Sequence, residues 1–504
     1  MQECSMPSTD SPPLPDHLDV LIVGAGISGI NAAYHLSQSL PHLRFAVVES
    51  HESFGGTWFV HTYPGVRTDT EAYTLGYDFK PWTGAPYAGG GEILAYLGEV
   101  LDEFSLHDHF FFGRKVMDAS WSSETQRWTV SGRANSDSQG FSVSTKFIWM
   151  CHGYYQHEKG YTPDWDGLES FAGQVVHPQA WPTDIELHGK NVALIGSGAT
   201  MATLAPSIAD DCKSLTVIQR SPTYFFQSPN VEPLADQLRS LGTPEEWIHW
   251  VVRKKSVNEM QTLVQIQQMH AEISRRTLID MVAKQLPDGY DIETHFTPRH
   301  MPQDQRVCRV LDGDLFQKIS TGKIEMVTDE IERFTPTSIV TKGGAEVPCD
   351  VVITATGFNL SVLGGVRFVV DGDEVNFANS TTYRGLLFTG LPNLAWTFGA
   401  LRLSWTMRAD YVSRYVCRLL AHLEEHGFGM VLPALRESDM GMEIHPFIDP
   451  DKFSPGYAMR SQHLMPKAGS APEWSMDLDF WGEREILETL GFEDGCLTFE
   501  ASKS

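Results

Sequence analysis

An α/β architecture of two strand–turn–helix–strand units, with a helical segment inserted into the second, is what this sequence predicts, and three features predict it. The stretch 18–40, LDVLIVGAGISGINAAYHLSQSL, passes from a short apolar strand through a glycine-rich turn into a helix, and RFAVVE at 44–49 reads as a second buried strand. The same order recurs at 191–210, NVALIGSGATMATLAPSIAD, followed by the β-branched run SLTVIQR ending at Arg220. Between about Pro233 and Leu286 breakers become rare and apolar residues fall at three-to-four spacing, which is a helical pattern.

The remaining elements follow in chain order. The first sixteen residues, MQECSMPSTDSPPLPD, mix proline, serine and acids without periodicity and read as a disordered tail, so structure is expected from about Leu18. After the helical insert, short strands are expected in KIEMVTDEIERFTPTSIVT at 323–341 and VPCDVVITATGF at 347–358, then a late helix near Thr406–Gly427. A chain of 504 residues exceeds one hydrophobic core and suits two or three units of roughly 150 residues each.

Composition excludes several classes. A formal charge of −26, from 64 acidic against 38 basic residues, repels nucleic acid and anionic membrane surfaces, so phosphate-bearing ligands must meet locally basic sites. The seven cysteines, at 4, 151, 212, 308, 349, 417 and 496, are odd in number and scattered, with no C-x-x-C pair. That pattern fits a reducing cytoplasm and argues against a structural metal site or a redox dithiol. No stretch approaches the roughly 18 apolar residues of a membrane helix, and the N-terminus has no secretion-signal pattern.

The two glycine-rich turns carry the chemistry. Gly24, Gly26 and Gly29 open a helix after a strand, and Glu49 ends the next strand at the distance expected of a ribose-binding acid. Small residues are needed because a pyrophosphate must approach backbone N–H groups at the positive helix end. A carboxylate here favours FAD or NAD over NADP. Gly196, Gly198 and Thr200 in GSGATM form the equivalent turn, but the following strand ends in Arg220, a cation suited to a 2′-phosphate, so NADPH is expected there. Met201 departs from the pattern: it stands where a small residue normally lets helix and strand pack closely, and the helix is expected to sit farther out.

Between the turns, Phe171, Gly173, His177, Trp181 and Pro182 match the fingerprint F-x-G-x-x-x-H-x-x-x-W-P at every fixed position. A second motif runs Gly55-Gly56-Thr57-Trp58 through Tyr63-Pro64-Gly65 to Asp69. On these motifs the chain resembles the type I Baeyer–Villiger monooxygenases, within the branch that holds the mycobacterial ethionamide-activating enzyme. The resemblance implies two Rossmann-like domains: an FAD domain from 17–150 and 385–504, and an NADPH domain from 151–222 and 300–384 carrying the insert 223–299. It also implies that NADPH reduces the flavin, that O2 adds at its C4a atom, and that the resulting peroxide attacks a ketone, a linear aliphatic one in this branch. Gly56, Thr57 and Trp58 then belong to the FAD site.

By the same resemblance Arg306, in DQRVC, matches the catalytic arginine and Asp69 its carboxylate partner, while Gln305 stands where a lysine is usual. A guanidinium suits an anionic adduct because it stays charged at any working pH. His177 is read either as a coupling between moving domains or as a core histidine. Leu403 and Trp405, in GALRLSWT, are read as walls of a substrate pocket or as ordinary core. Oxygenation of sulfur or nitrogen, as in a thioether, and uncoupled turnover of NADPH to H2O2 remain the competing activities.

Overall fold

The computed structural model describes residues 13–135, 140–401, 403–476 and 481–503. Most of the expected tail, residues 1–12, therefore lies outside the described residues, and the first strand begins at His17.

The first unit is built on β1 (His17–Val23), α1 (Ile27–Ser39) and β2 (Phe45–Val48). β1 is hydrogen-bonded in parallel to β2 on one side and to Gly140–Met150 on the other. A strand flanked on both edges and covered on both faces must be apolar where it is covered, which is why residues 20–23, all buried, show no alternation. The sheet extends through the antiparallel strands Arg127–Ala134 and Arg114–Ser122 to nine strands. The late helix, Trp405–Glu425, lies against α1. There the buried Asp410 accepts from Asn31 Nδ2 at 3.1 Å and is bound to His35 Nε2 at 2.7 Å.

The second unit is a five-stranded parallel sheet in the order Ile324–Thr328, β4 (Ser214–Gln219), β3 (Asn191–Ile195), Val351–Thr354, Gln174–Val176. Its glycine turn leads into α2 (Ala199–Ile208). Met201 is fully buried in this unit's core. In the first unit a Cβ at Gly29 would lie 1.8 Å from the Gly24 carbonyl oxygen, so the two turns differ in the room they leave beneath the helix.

Two features were not expected from sequence. The chain returns to the first sheet before residue 385: Arg367–Val370 pairs in parallel with Arg114–Ser122. A four-residue edge strand carries no sign in sequence of which sheet it will join. The insert, though it interrupts the second unit in sequence, also packs on the first. Its long helix, Glu245–Met269, buries Ile248 and Val252 in the first unit's core, and Arg253 Nη1 donates to the carbonyls of Tyr73, Thr74 and Gly76. The insert's entry and exit are joined by the parallel pair Phe225–Ser228 and Cys308–Leu311.

The two crossings between units run side by side. Tyr161 N–H donates to Gly357 O at 2.9 Å, Gln156 N–H to Asn359 O at 2.8 Å, and Ser361 N–H to Tyr154 O at 3.0 Å. The units are thus connected by one hydrogen-bonded ribbon. Among the described residues no helix is long and apolar enough to cross a membrane, and no group of three or more potential ligands could hold a metal.

Candidate active site

Both glycine turns open into one cavity of about 1030 Å³ between the units. Seven basic and five acidic side chains line it, against the strongly acidic balance of the whole chain. Gly24, at φ +105°, turns the chain so tightly against the crossing that a Cβ would lie 2.7 Å from Cys151 O. Gly26 caps α1, and Glu49, directly after β2, has Oε2 accepting the Ala25 N–H at 2.8 Å and Oε1 accepting the His51 N–H at 2.9 Å. The carboxylate therefore holds the glycine turn as well as facing the cavity. At the second turn a Cβ on Gly198 would meet nothing within 4 Å, which leaves the start of α2 open to a bound phosphate.

The Gly55–Trp58 loop is tied to the first turn by Gly55 N–H donating to Ala25 O at 2.9 Å. It continues into the Tyr63-Pro64-Gly65 turn, which lies on α2 of the other unit. Gly65, at φ +80°, is so close that a Cβ would lie 2.5 Å from the Thr203 carbonyl oxygen. This docking carries Asp69 to the cavity, where Arg306 Nη1 donates to its Oδ2 at 2.8 Å. The two side chains are 35% and 42% exposed, and both face the cavity. Burial opposes the Arg306 charge, but Asp69 together with Tyr457, Tyr154 and Tyr155 outweighs it, so the guanidinium is held well above its ordinary pKa.

Three tyrosines absent from the sequence expectation surround that guanidinium. Tyr154 and Tyr155 follow the Gly140–Met150 strand, share a hydroxyl–hydroxyl hydrogen bond of 2.7 Å, and are joined by Tyr457. Burial raises the pKa of Tyr154 and Tyr155 far above the working range, so both present neutral hydroxyls. Trp405 stacks on Tyr154 with ring centroids 5.1 Å apart and donates from its indole N–H to Ser28 Oγ at 2.7 Å. Leu403 packs with Val257 of the insert, Ala400 and Met407 while also lining the cavity. His61 lines it too; burial, helped by His157 and His177, lowers its pKa to about 4, and among the described residues its Nδ1 has no hydrogen-bond partner.

Of the residues singled out from sequence, Gly24, Gly26, Glu49, Gly56, Thr57, Trp58, Asp69, Gly196, Gly198, Thr200, Arg220, Arg306, Leu403 and Trp405 line this cavity, as does Gln305. Gly29 lies beneath the first turn. The fingerprint stands outside the cavity. Phe171 is buried in the core around the second sheet, Gly173 lies against Asp350 O, and Trp181 and Pro182 line a separate hollow with Thr62 and Pro64. His177 sits on the ribbon between units: Nε2 donates to Gly357 O at 3.1 Å, and Nδ1 accepts the Gln179 N–H at 3.2 Å. Its ring fills the space beside Gly160, where a Cβ would lie 2.1 Å from Cε1. Nothing in C-H-G-Y-Y at 151–155, and no periodicity around Tyr457, marks the tyrosines in sequence beyond their aromatic character.

Comparison with known proteins finds relatives over nearly the whole chain. A family model described as flavin-binding monooxygenase-like matches residues 85–364, and one described as an NAD(P)-binding Rossmann-like domain matches 22–82. The FAD-containing monooxygenase EthA of Mycobacterium tuberculosis is 40% identical over 486 residues, spanning 96% of this chain and 98% of that protein. The probable FAD-binding monooxygenase AlmA of Acinetobacter baylyi is 35% identical over 486 residues, spanning 96% of each. Among solved structures, an oxidized steroid monooxygenase bound to NADP is similar with a TM-score of 0.77 at 23% identity, covering 96% of this chain and all of its own.

Proposed function

The chain belongs to the flavin-binding monooxygenase-like family, and on that premise we propose that it is an FAD- and NADPH-dependent monooxygenase of the Baeyer–Villiger type. It converts ketones, linear aliphatic ones foremost, to esters or lactones with O2. The observation that carries this reading is the Arg306–Asp69 pair in a cavity that both glycine turns share.

The residues present fit both dinucleotides. Gly24 and Gly26 line the cavity at the start of α1 with Gly29 packed beneath the turn, Gly56, Thr57 and Trp58 lie beside it, and the Glu49 carboxylate faces the cavity as a ribose acceptor. Gly196, Gly198 and Thr200, which line the same cavity, would hold the NADPH pyrophosphate end, and Arg220 its 2′-phosphate. Bound there and reduced by NADPH, FAD would supply the activated oxygen derived from O2.

The chain's own contribution is electrostatic and steric. Arg306, permanently charged, stabilises the negative charge that develops when the ketone carbon is attacked. Asp69 fixes the guanidinium's position. Tyr154 and Tyr155 keep their protons, so they offer hydroxyl donors without placing a competing anion beside Arg306. Trp405, Leu403 and Tyr154 form apolar walls that exclude water and hold the alkyl chain. His177 acts as a positioning residue on the ribbon about which the units move, and Trp181 and Pro182 support the α2 side of that joint. The buried free cysteines suit a reducing cytoplasm.

The test is product analysis under 18O2 with a medium-chain 2-alkanone and, separately, an alkyl aryl thioether. An ester carrying one labelled oxygen is expected. Sulfoxide from the thioether with no ester would move the assignment to heteroatom oxygenation.

A further inference from the structure

We infer that Arg460, carried on the short helix Gly456–Ser461 near the C-terminus, is a second guanidinium at the far end of the NADPH site, clamping with Arg220 the 2′-phosphate that distinguishes NADPH from NADH. This rests on the NADPH-dependent reading above.

Arg460 lines the shared cavity with Arg220, Ser197 and Thr200. Its guanidinium is fixed from two sides. It lies over the Tyr161 ring, 3.5 Å from the centroid, and Nη2 donates to Phe358 O at 3.2 Å. Both partners belong to the ribbon between the units, and Phe358 directly follows the Ala355–Gly357 run that packs against the Gly196 turn. The arginine is thus held by the same segments that frame the second cradle.

Its charge has no carboxylate counterpart among the described residues. The charged or titrating groups that act on it are Tyr161 and Arg220, and burial together with the like charge of Arg220 lowers its pKa. Arg220 lines the same cavity and forms no ion pair among the described residues. The acid beside it, Glu330, is bound by Lys342 at 2.5 Å, and neighbouring Asp329 accepts the backbone N–H groups of Gly343 at 2.6 Å and Glu330 at 2.8 Å. Arg460 and Arg220 thus line one cavity, each without an ion-pair partner among the described residues. Like charges placed so repel, and a bound dianion relieves the repulsion through charge-assisted hydrogen bonds to both planar forks.

The alternative is that Arg460 only anchors its helix on Tyr161. The two readings separate on binding, without turnover. In the full-length FAD-loaded protein, dissociation constants for NADP+ and NAD+ are measured by titrating the flavin absorbance and by calorimetry. The proteins compared are wild type, Arg460→Gln, Arg460→Lys and Arg220→Gln. The expected result for Arg460→Gln is a loss of about 10- to 100-fold for NADP+, with NAD+ changed by less than about twofold, since a hydrogen bond to a charged group is lost only with the phosphate present. Arg460→Lys recovers part of the loss, and Arg220→Gln shows the same selectivity. Unchanged NADP+ affinity in Arg460→Gln overturns the inference. So does an equal loss for NADP+ and NAD+, which marks an anchor or a pyrophosphate contact. Selective loss in a protein that oxygenates neither ketone nor thioether keeps the clamp and removes the oxygenation reading.

Discussion

Arg306 donates to Asp69 at 2.8 Å across a sequence separation of 237 residues, joining the loop before Cys308 to the turn that the first unit lays on α2. Because both side chains are partly exposed to the cavity, their attraction is screened and Asp69→Ala should cost no more than about 1 kcal/mol of stability. Function should respond far more. Arg306→Ala is expected to lower the rate of ester formation by about 10²- to 10³-fold while NADPH still reduces the flavin. Stopped-flow reduction and product analysis on one preparation check this. Arg306→Lys should not rescue, because a point charge does not reproduce the planar fork.

The Gly65 turn is where the first unit meets the second. Gly65→Ala must place a methyl group against the Thr203 carbonyl in a backbone region that side chains disfavour, at a cost of about 1–3 kcal/mol. Since the displaced turn leads to Asp69, activity should fall together with thermal stability. Pro64→Ala, which adds no atom, should be milder on both. Differential scanning calorimetry of the two variants tests the order.

His249 docks the long insert helix on the first unit: Nδ1 accepts the Trp82 N–H at 3.0 Å, and Nε2 donates to Tyr77 O at 3.2 Å. Burial lowers its pKa to about 3. Between pH 6.5 and 3 the unfolded chain binds a proton here that the folded protein refuses. This histidine's contribution is therefore complete above pH 6.5 and is lost as pH falls, by about 1.4 kcal/mol per pH unit. Denaturant unfolding between pH 7 and 5 should show a shallower pH dependence in His249→Gln than in wild type. An unchanged slope would mean that this imidazole is not neutral in the fold.

His177 bridges the ribbon to the fingerprint strand without reaching the cavity. His177→Ala should slow flavin reduction by about 3- to 10-fold, the worth of one hydrogen bond, while the NADP+ dissociation constant stays near the wild-type value. A residue needed only for core packing would instead lower thermal stability and leave the reduction rate intact.

The α/β class, both glycine turns and the long insert helix were legible because each rests on local signals: a buried strand, a turn that admits a pyrophosphate, a helical spacing. The late helix begins at Trp405, one residue from the expected Thr406. What sequence could not convey depends on distant segments meeting. The insert interrupts one unit yet packs on the other because its apolar residues Ile248 and Val252 join the core that also holds Tyr73 and Trp82. The early return at Arg367 is an edge-strand pairing with no local sign. Tyr154, Tyr155 and Tyr457 converge on Arg306 from segments about 300 residues apart, and only the fold brings them together. Of the fingerprint, sequence could give the pattern but not its place, on the joint and outside the cavity.

The most direct test of the account is the ratio of ester to NADPH consumed by the FAD-loaded protein with a medium-chain 2-alkanone, with H2O2 counted in the same vessel. Nearly one ester per NADPH and little peroxide are expected, with a collapse of that ratio in Arg306→Ala. Quantitative H2O2 with no oxygenated product from either ketone or thioether would contradict it and leave an NADPH oxidase.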